Sequence, residues 1–446
     1  MLNAKKRWMT AGLAAGLAIA LTACSGGSTA GQDEATPLPT EYTGDPVTLE
    51  MWGSTPNLKN AVDLFNESQS TITVNFTEQA GAGTLATNLR NAFAAGGGPD
   101  IFDTQTEGIN SLASDGIALE LTDLIGGEES KYSPVAWDAV TTDGRVFAVP
   151  ASSIPQFSIY NAKVFADAGI TEYPETWDDF IADGLVLKER GSKITNLAGE
   201  DYTNYVYMAW QAGAQWWHLD GDSWTVDVDS PETAKGADIL QQMIDDDIVS
   251  KVSFAEYAAL MQDFNDGKIA SRQLSTWQTK GMQANLTTGL GQWEPAPYPS
   301  YSGEDAANVS FTRAFAVNSK TKNADAAAFA ANWLATDDAS VAKLADPIDG
   351  TSWFPAVADP APYISISEPT QLIGEYAPEW EPTVTDAVQA QKGDWTYGPN
   401  ASAAFTVLAD LWGKALDGQM KVADIAPQLQ EWIVDDLTSS GIDVTE

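Results

Sequence analysis

Between Pro46 and Asp103 the apolar residues alternate between a strand period and a helix period, and this restricts the chain to a sheet flanked by helices. Val47-Thr48-Leu49-Glu50-Met51-Trp52 reads as a strand. A helix follows from about Asn57 to Glu67, with Leu58, Ala61, Leu64 and Phe65 on one face. Thr71 to Thr77 alternates as a second strand, and a helix from Thr84 to Ala95 stops at Gly96-Gly97-Gly98-Pro99. Asp100-Ile101-Phe102-Asp103 opens a third strand. Strands separated by helices predict an α/β lobe with a largely parallel sheet.

A second α/β pattern starts near Arg145. Arg145 to Pro150 and Gln156 to Tyr160 read as strands, with helices at Ala162–Ala168 and Trp177–Arg190. Thr176 and Asp179 form a capping-box variant at the second of these. His218 to Val228 reads as a hairpin around Asp220-Gly221-Asp222, and Ser230-Pro231 caps the next helix. Late helices are expected at Asp325–Leu334, Ala401–Leu416 and Ile425–Leu437. No internal repeat is visible.

The N-terminus is of a different kind. Lys5, Lys6 and Arg7 precede an apolar run from Trp8 to Ala20, and Leu21-Thr22-Ala23-Cys24 ends it at the chain's one cysteine. The run is shorter than the ~20 residues that span a bilayer. The order reads as a secretory leader, and Leu-Thr-Ala-Cys resembles a bacterial lipoprotein lipobox. That resemblance implies a signal peptide at 1–23, a lipidated Cys24 and an extracytoplasmic protein anchored to the cell membrane. Residues 24–44, rich in Gly, Ser, Thr and Pro, read as a flexible tether.

With Cys24 lipidated, no thiol remains for a disulfide or a thiolate metal site. The single histidine, His218, excludes a zinc-protease motif with two imidazoles. A net charge of -39 repels nucleic acid and anionic headgroups, so nucleic acid is not an expected partner. Asp220, Asp222, Asp227 and Asp229 lack the spacing and closing Glu of a calcium loop, so no metal or cofactor is expected. Sixteen tryptophans in 446 residues are an excess that suits either cores or binding clefts.

Several segments together resemble the family 1 extracellular solute-binding proteins, the sugar-capturing subunits of bacterial ABC importers. They are "VTLEMWGSTPNLKNAVDLFNES", "LATNLRNAFAAGGGPDIFDTQ" and "GRVFAVPASSIPQFSIYNAKVFADAGITEYPETWDDF", then "FNDGKIASRQLSTWQ", "AFAVNSKTKNADAAAFAANWLATDD" and "DGTSWFPAV". Their shared order carries the resemblance. It implies a two-lobed, periplasmic-binding-protein-like α/β fold of type II, with lobes joined by hinge strands around a cleft. Lobe 1 maps to 45–152 and 309–347, and lobe 2 to 153–308 and 348–446. A monomer that closes over a carbohydrate and presents it to membrane permease subunits is the implied working unit.

A sugar needs aromatic plates for its C–H faces and planar polar groups for its hydroxyl rim. Trp52, at the end of the first strand, is a candidate plate whose alternative is core packing. Asp103, Gln105 and Glu107 follow the third strand, where the family often meets its solute. Ser152 and Ser153 fall at the first crossover. Trp277 matches the family's tryptophan after "FNDGKIA" and is the leading candidate. Trp216 is preferred over its neighbour Trp217 in a polar loop beside His218. Arg313 follows a strand at 308–311 and could donate to two hydroxyls or form a salt bridge. Trp353 marks the last crossover, and Trp395 or Tyr397 could cap the ligand from a Gly-Pro-rich loop. Trp333, Trp412 and Trp432 fall at helical spacing and read as core.

Two other functions compete with sugar capture. One is binding of a different solute, such as a peptide or polyamine. The other is a surface glycoside hydrolase with a carboxylate pair. No segment resembles a hydrolase motif, and neither a GxSxG nor a Walker A loop occurs. The expectation is a binding protein, not an enzyme.

Overall fold

The computed structural model describes residues 37–221, 223–301, 311–393 and 395–445. The leader, Cys24, the tether up to residue 36, Asp222 and residues 308–310 of the strand expected before Arg313 lie outside the described residues. The alternating start folds as its periods dictate: β1 Val47–Gly53, α1 Leu58–Ser68, β2 Ile72–Glu78, α2 Ala82–Ala94 and β3 Ile101–Gln105. Helix α1 buries Leu58, Ala61, Val62 and Phe65, so Val62 takes the place expected for Leu64. A further helix, α3 at Thr106–Ser114, follows β3 with no loop between them.

The first sheet has the order β2-β1-β3-β10-β4, where β4 is Val149–Ile154 and β10 is the late strand Phe311–Val317. Strands β2, β1 and β3 are parallel, whereas β10 runs antiparallel to both β3 and β4. Strand β4 therefore runs the same way as β2, β1 and β3, so the sheet is largely parallel as expected, with β10 running against the other four. An antiparallel strand arriving from elsewhere in the chain needs no crossover helix to join it.

From β4 the chain passes through Pro155-Gln156 into β5, Phe157–Asn161, at the centre of a second sheet. This sheet is antiparallel, with β5 between β8 (Ser271–Leu274) and β9 (Trp293–Ala296). Between β5 and β8 lie α4 (Trp177–Glu189), α5 (Thr203–Gln211), the hairpin of β6 (Trp217–Asp220) and β7 (Ser223–Val226), α6 (Pro231–Asp245) and α7 (Tyr257–Asn265). The caps expected for two helices are present. Thr176 Oγ1 accepts the Asp179 N–H at 3.1 Å, and Ser230 Oγ accepts the Thr233 N–H at 3.2 Å ahead of Pro231. Helix α8 (Thr276–Asn285) follows β8. The late helices are α9 (Ala324–Thr336), α10 (Trp380–Gln389), α11 (Ala401–Leu416) and α12 (Ile425–Ser439).

Each of these two sheets has its own core, and the fold is a two-lobed α/β architecture within one compact unit that holds the described residues. Leu49, Met51, Phe102 and Phe315 centre the first core. Phe157, Ile159, Trp293 and Trp380 fill the space under the second sheet. A larger aromatic core among α5, α6, α11 and α12 holds Trp210, Trp216, Trp395 and Trp412. Trp333 and Trp432 are half-buried against the first and the aromatic core, as their helical spacing predicts. Trp353 and Ala356 sit in the first core, while Phe354 between them turns into the second. Among the described residues no helix is long and apolar enough to cross a membrane. Two residues of the stretch read as tether, Leu38 and Tyr42, are packed against the first core.

Candidate functional site

A cavity of about 480 Å3 opens between the lobes. On the first-lobe side Thr55, just past β1, and Gln105, the last residue of β3, line it. The carboxyl ends of parallel strands are where α/β sheets leave room for a ligand. Glu107, Arg313 and Trp353 complete that wall. The opposite wall carries Asp201, Tyr202, Asn204, Phe254, Trp277 and Tyr298.

Local structure aims each key side chain. Trp277 is the second residue of α8, whose start is fixed by Gln278 Oε1 accepting the Ser275 N–H at 2.9 Å. That placement leaves the indole 51% exposed, which is unusual for a side chain of its size. Arg313 sits within β10 and does not follow a strand. The ladder between β10 and β4 slips at Arg313/Ala314, and the Arg313 N–H donates to Ser152 Oγ at 3.2 Å. Such an irregularity re-aims a side chain, here towards the cavity. Trp353 follows Ser352, which holds a left-handed φ of 60°, and its ring packs against Phe315 at 5.8 Å.

Behind this surface Asp103 is fully buried. Its carboxylate accepts the Ser54 N–H at 3.0 Å, Ser54 Oγ at 3.1 Å and Thr55 Oγ1 at 3.1 Å, with Arg313 Nη1 at 3.5 Å. Burial raises its pKa even so, against the opposing Arg313 charge and the Ser54 and Thr55 donors. Asp103 therefore holds the lining in place without lining the cavity itself. Glu107 is partly buried as a residue, and its Oε2 is buried with no hydrogen-bond partner among the described residues. Burial pushes its carboxyl up to about 7, against its own backbone N–H and the Arg313 charge. Across the cavity Asp201 accepts from the Thr203 hydroxyl and, at 3.1 Å, from Asn204 Nδ2. Burial raises its pKa too, opposed by these donors and by Arg272.

Of the twelve side chains read from the sequence, the structure gathers Gln105, Glu107, Trp277, Arg313 and Trp353 around the cavity. The others stand elsewhere. Trp52 projects from β1 and is half-buried against the first core. Ser152 and Ser153 are buried in β4, where Ser153 Oγ donates to Gln391 Oε1 at 3.2 Å. Trp216 stands in the loop ahead of β6, but not on its polar side. It is wholly buried, and its Nε1 donates to Thr233 Oγ1 at 2.8 Å. Trp395 stacks on Trp210 at 5.1 Å, and Tyr397 meets Phe405 edge-on at 6.0 Å, so both belong to the aromatic core. Sequence reasoning missed Asp201, Asn204, Phe254 and Tyr298. Only Asp201-Tyr202-Thr203 carried a signal: an Asp whose carboxylate accepts the Thr203 N–H at the start of α5, at 3.3 Å.

Two lobes around a cavity of mixed aromatic and polar lining define a clamshell-type binding protein. The family model described as bacterial extracellular solute-binding protein matches residues 52–341, and the chain belongs to that family. It is 27% identical over 239 residues to the diacetylchitobiose binding protein DasA of Streptomyces coelicolor, covering 51% of this chain and 54% of that one. An arabinooligosaccharide-binding protein of Halalkalibacterium halodurans is 25% identical over 227 residues, 48% and 49% of the two chains. The chain thus spans about half the length of these curated relatives. Among solved structures, the galacto-N-biose-/lacto-N-biose I-binding protein of a Bifidobacterium longum ABC transporter superposes with a TM-score of 0.77 at 21% identity, over 90% of this chain and 100% of that one. The ABC transporter associated binding protein from B. animalis subsp. lactis, in complex with beta-1,6-galactobiose, gives 0.74 at 22% identity over the same shares. At these identities the likeness establishes the shared fold.

Proposed function

We propose that this protein captures an oligosaccharide between its lobes and delivers it, unaltered, to the permease subunits of an ABC importer. The observation that carries the reading is the half-exposed Trp277 indole facing a wall of Gln105, Glu107 and Arg313 across one cavity. An indole suits the C–H face of a pyranose, and the amide, carboxyl and guanidinium suit its hydroxyls. A buried hydroxyl left unpaired costs about 1–3 kcal/mol, so such a wall selects among stereoisomers. The relatives named for diacetylchitobiose and arabinooligosaccharide support a carbohydrate over a peptide or polyamine.

In this reading lobe 1 comprises 45–152 and 309–347, and lobe 2 comprises 153–308 and 348–446, except that Trp353 and Ala356 of the last crossover pack in the first core. Closure is a hinge motion about the strands that pass between them. The lipobox-like Leu21-Thr22-Ala23-Cys24 supports reading the chain as an extracytoplasmic protein held to the membrane by lipidated Cys24, and we take it to act as a monomer. Thermal-shift screening of the soluble chain against di- and oligosaccharides tests the reading. A ligand raises the melting temperature by mass action, and chromatography of the recovered sugar must show no cleavage. A panel without any shift, or a hydrolysed sugar, overturns it.

A further inference from the structure

Residues 37–44 hold an unexpected arrangement around Glu128, which sits in a 3-10 turn at Gly126–Lys131 and is 0% exposed. Its Oε2 accepts Lys131 Nζ at 2.6 Å and Asn332 Nδ2 at 2.9 Å, while Asn332 Oδ1 accepts the Tyr132 hydroxyl at 2.6 Å. The remaining oxygen, Oε1, accepts the backbone N–H of Leu38 at 2.9 Å. A buried carboxylate needs all its donors. One of them here comes from a segment 90 residues away in sequence.

Two side chains extend the attachment. Leu38 and Tyr42 are the half-buried positions of residues 37–46 and lie four apart, on one side of the segment. The Tyr42 ring meets Phe329 of α9 at 5.8 Å. Gly44 permits this, because a Cβ there would collide with the Tyr42 hydroxyl.

We propose that residues 37–44 are a strap docked on lobe 1 by Glu128 and Phe329, which fixes where the chain leaves the folded domain. Taken with the membrane reading above, on which this consequence rests, the strap sets the leash. A free stretch of about twenty residues, from Cys24 to Gly44, would reach roughly 70 Å, whereas the dozen or so before Pro37 reach roughly 40 Å. The exit point of the chain then lies on lobe 1, beside Glu128.

Hydrogen exchange and proteolysis of the soluble chain lacking its leader test the strap directly. The Leu38 amide should be protected at least tenfold over a free peptide. Proteinase K followed by mass spectrometry should stop trimming before Pro37. The double variant L38G/Y42G, which leaves every other lobe 1 side chain in place, should be trimmed on to Val47 while staying folded, its melting temperature lower by a few degrees as Glu128 loses one donor. Wild-type protein trimmed to Val47, or a Leu38 amide exchanging at the free-peptide rate, overturns the strap. Vesicle flotation of the full chain reports the lipid anchor separately, so failure of anchoring and failure of docking give different results.

Discussion

Arg313 lies over the ring of Trp353, its guanidinium carbon 5.6 Å from the ring centre. A guanidinium over an indole face is attracted by the ring quadrupole, and the pair forms one surface of the cavity. Asp103 holds the same guanidinium from behind, so the lining depends on a residue that a ligand never meets.

Asp103→Ala should therefore weaken sugar binding and lower stability together. The substitution leaves Arg313 without its carboxylate and frees Ser54 and Thr55. Breaking a buried pair from one side costs about 3–5 kcal/mol, and the partly exposed Arg313 places this case at the low end. Calorimetric titration should show affinity lower by at least about tenfold, or ~1.4 kcal/mol. Unchanged affinity in the folded fraction would show that Asp103 does not position the lining.

Trp277→Ala should behave differently. The indole is half-exposed and packs in no core, so the melting temperature should stay within a few degrees. Loss of a stacking plate should weaken the sugar by about 2 kcal/mol, roughly thirtyfold. Affinity equal to wild type would move the sugar's apolar contact away from α8.

The contrast between Trp277 and Trp216 shows what the sequence could and could not convey. Local periodicity fixed many elements but not α8, which carries Trp277, nor the span of β10, which carries Arg313. The alternation through β3 and the 401–416 helix stand in the structure where the residues place them. Which aromatic plate faces solvent is a tertiary question. Trp216 and Trp217 are adjacent, and on a lone strand one of them would be exposed. Both are buried because α6 supplies Thr233 to the first indole and α11 supplies Phe405 to the second. Trp395 is absorbed in the same way by Trp210 of α5. Phe254 and Tyr298 reach the cavity from segments far apart in the chain, with no local pattern to mark them.

Trp216→Ala should accordingly be a stability variant. Removing a fully buried Trp costs about 3–5 kcal/mol, and here Thr233 Oγ1 also loses its Nε1 donor. Urea unfolding should show the whole deficit, while sugar affinity measured on the folded fraction stays at the wild-type value. A selective loss of affinity would return Trp216 to the binding surface.

Glu107 makes the stability of the ligand-free protein depend on pH. Its carboxyl titrates near 7 in the folded chain, above its ordinary 4.5, because burial disfavours the charge more than Arg313 favours it. Between those values the folded state holds a proton that the unfolded chain has released. The contribution is therefore full below about pH 4.5 and is lost as pH rises through about 7, by at most ~3.5 kcal/mol at ~1.4 kcal/mol per unit. Asp103 and Asp201 are shifted in the same direction, so the wild-type slope alone does not isolate Glu107. Glu107→Gln does, since it keeps the shape and removes the charge. Urea midpoints should coincide for the two proteins at about pH 4.5, and the variant should be the more stable at about pH 8. Parallel curves across that range would place the Glu107 carboxyl in contact with water.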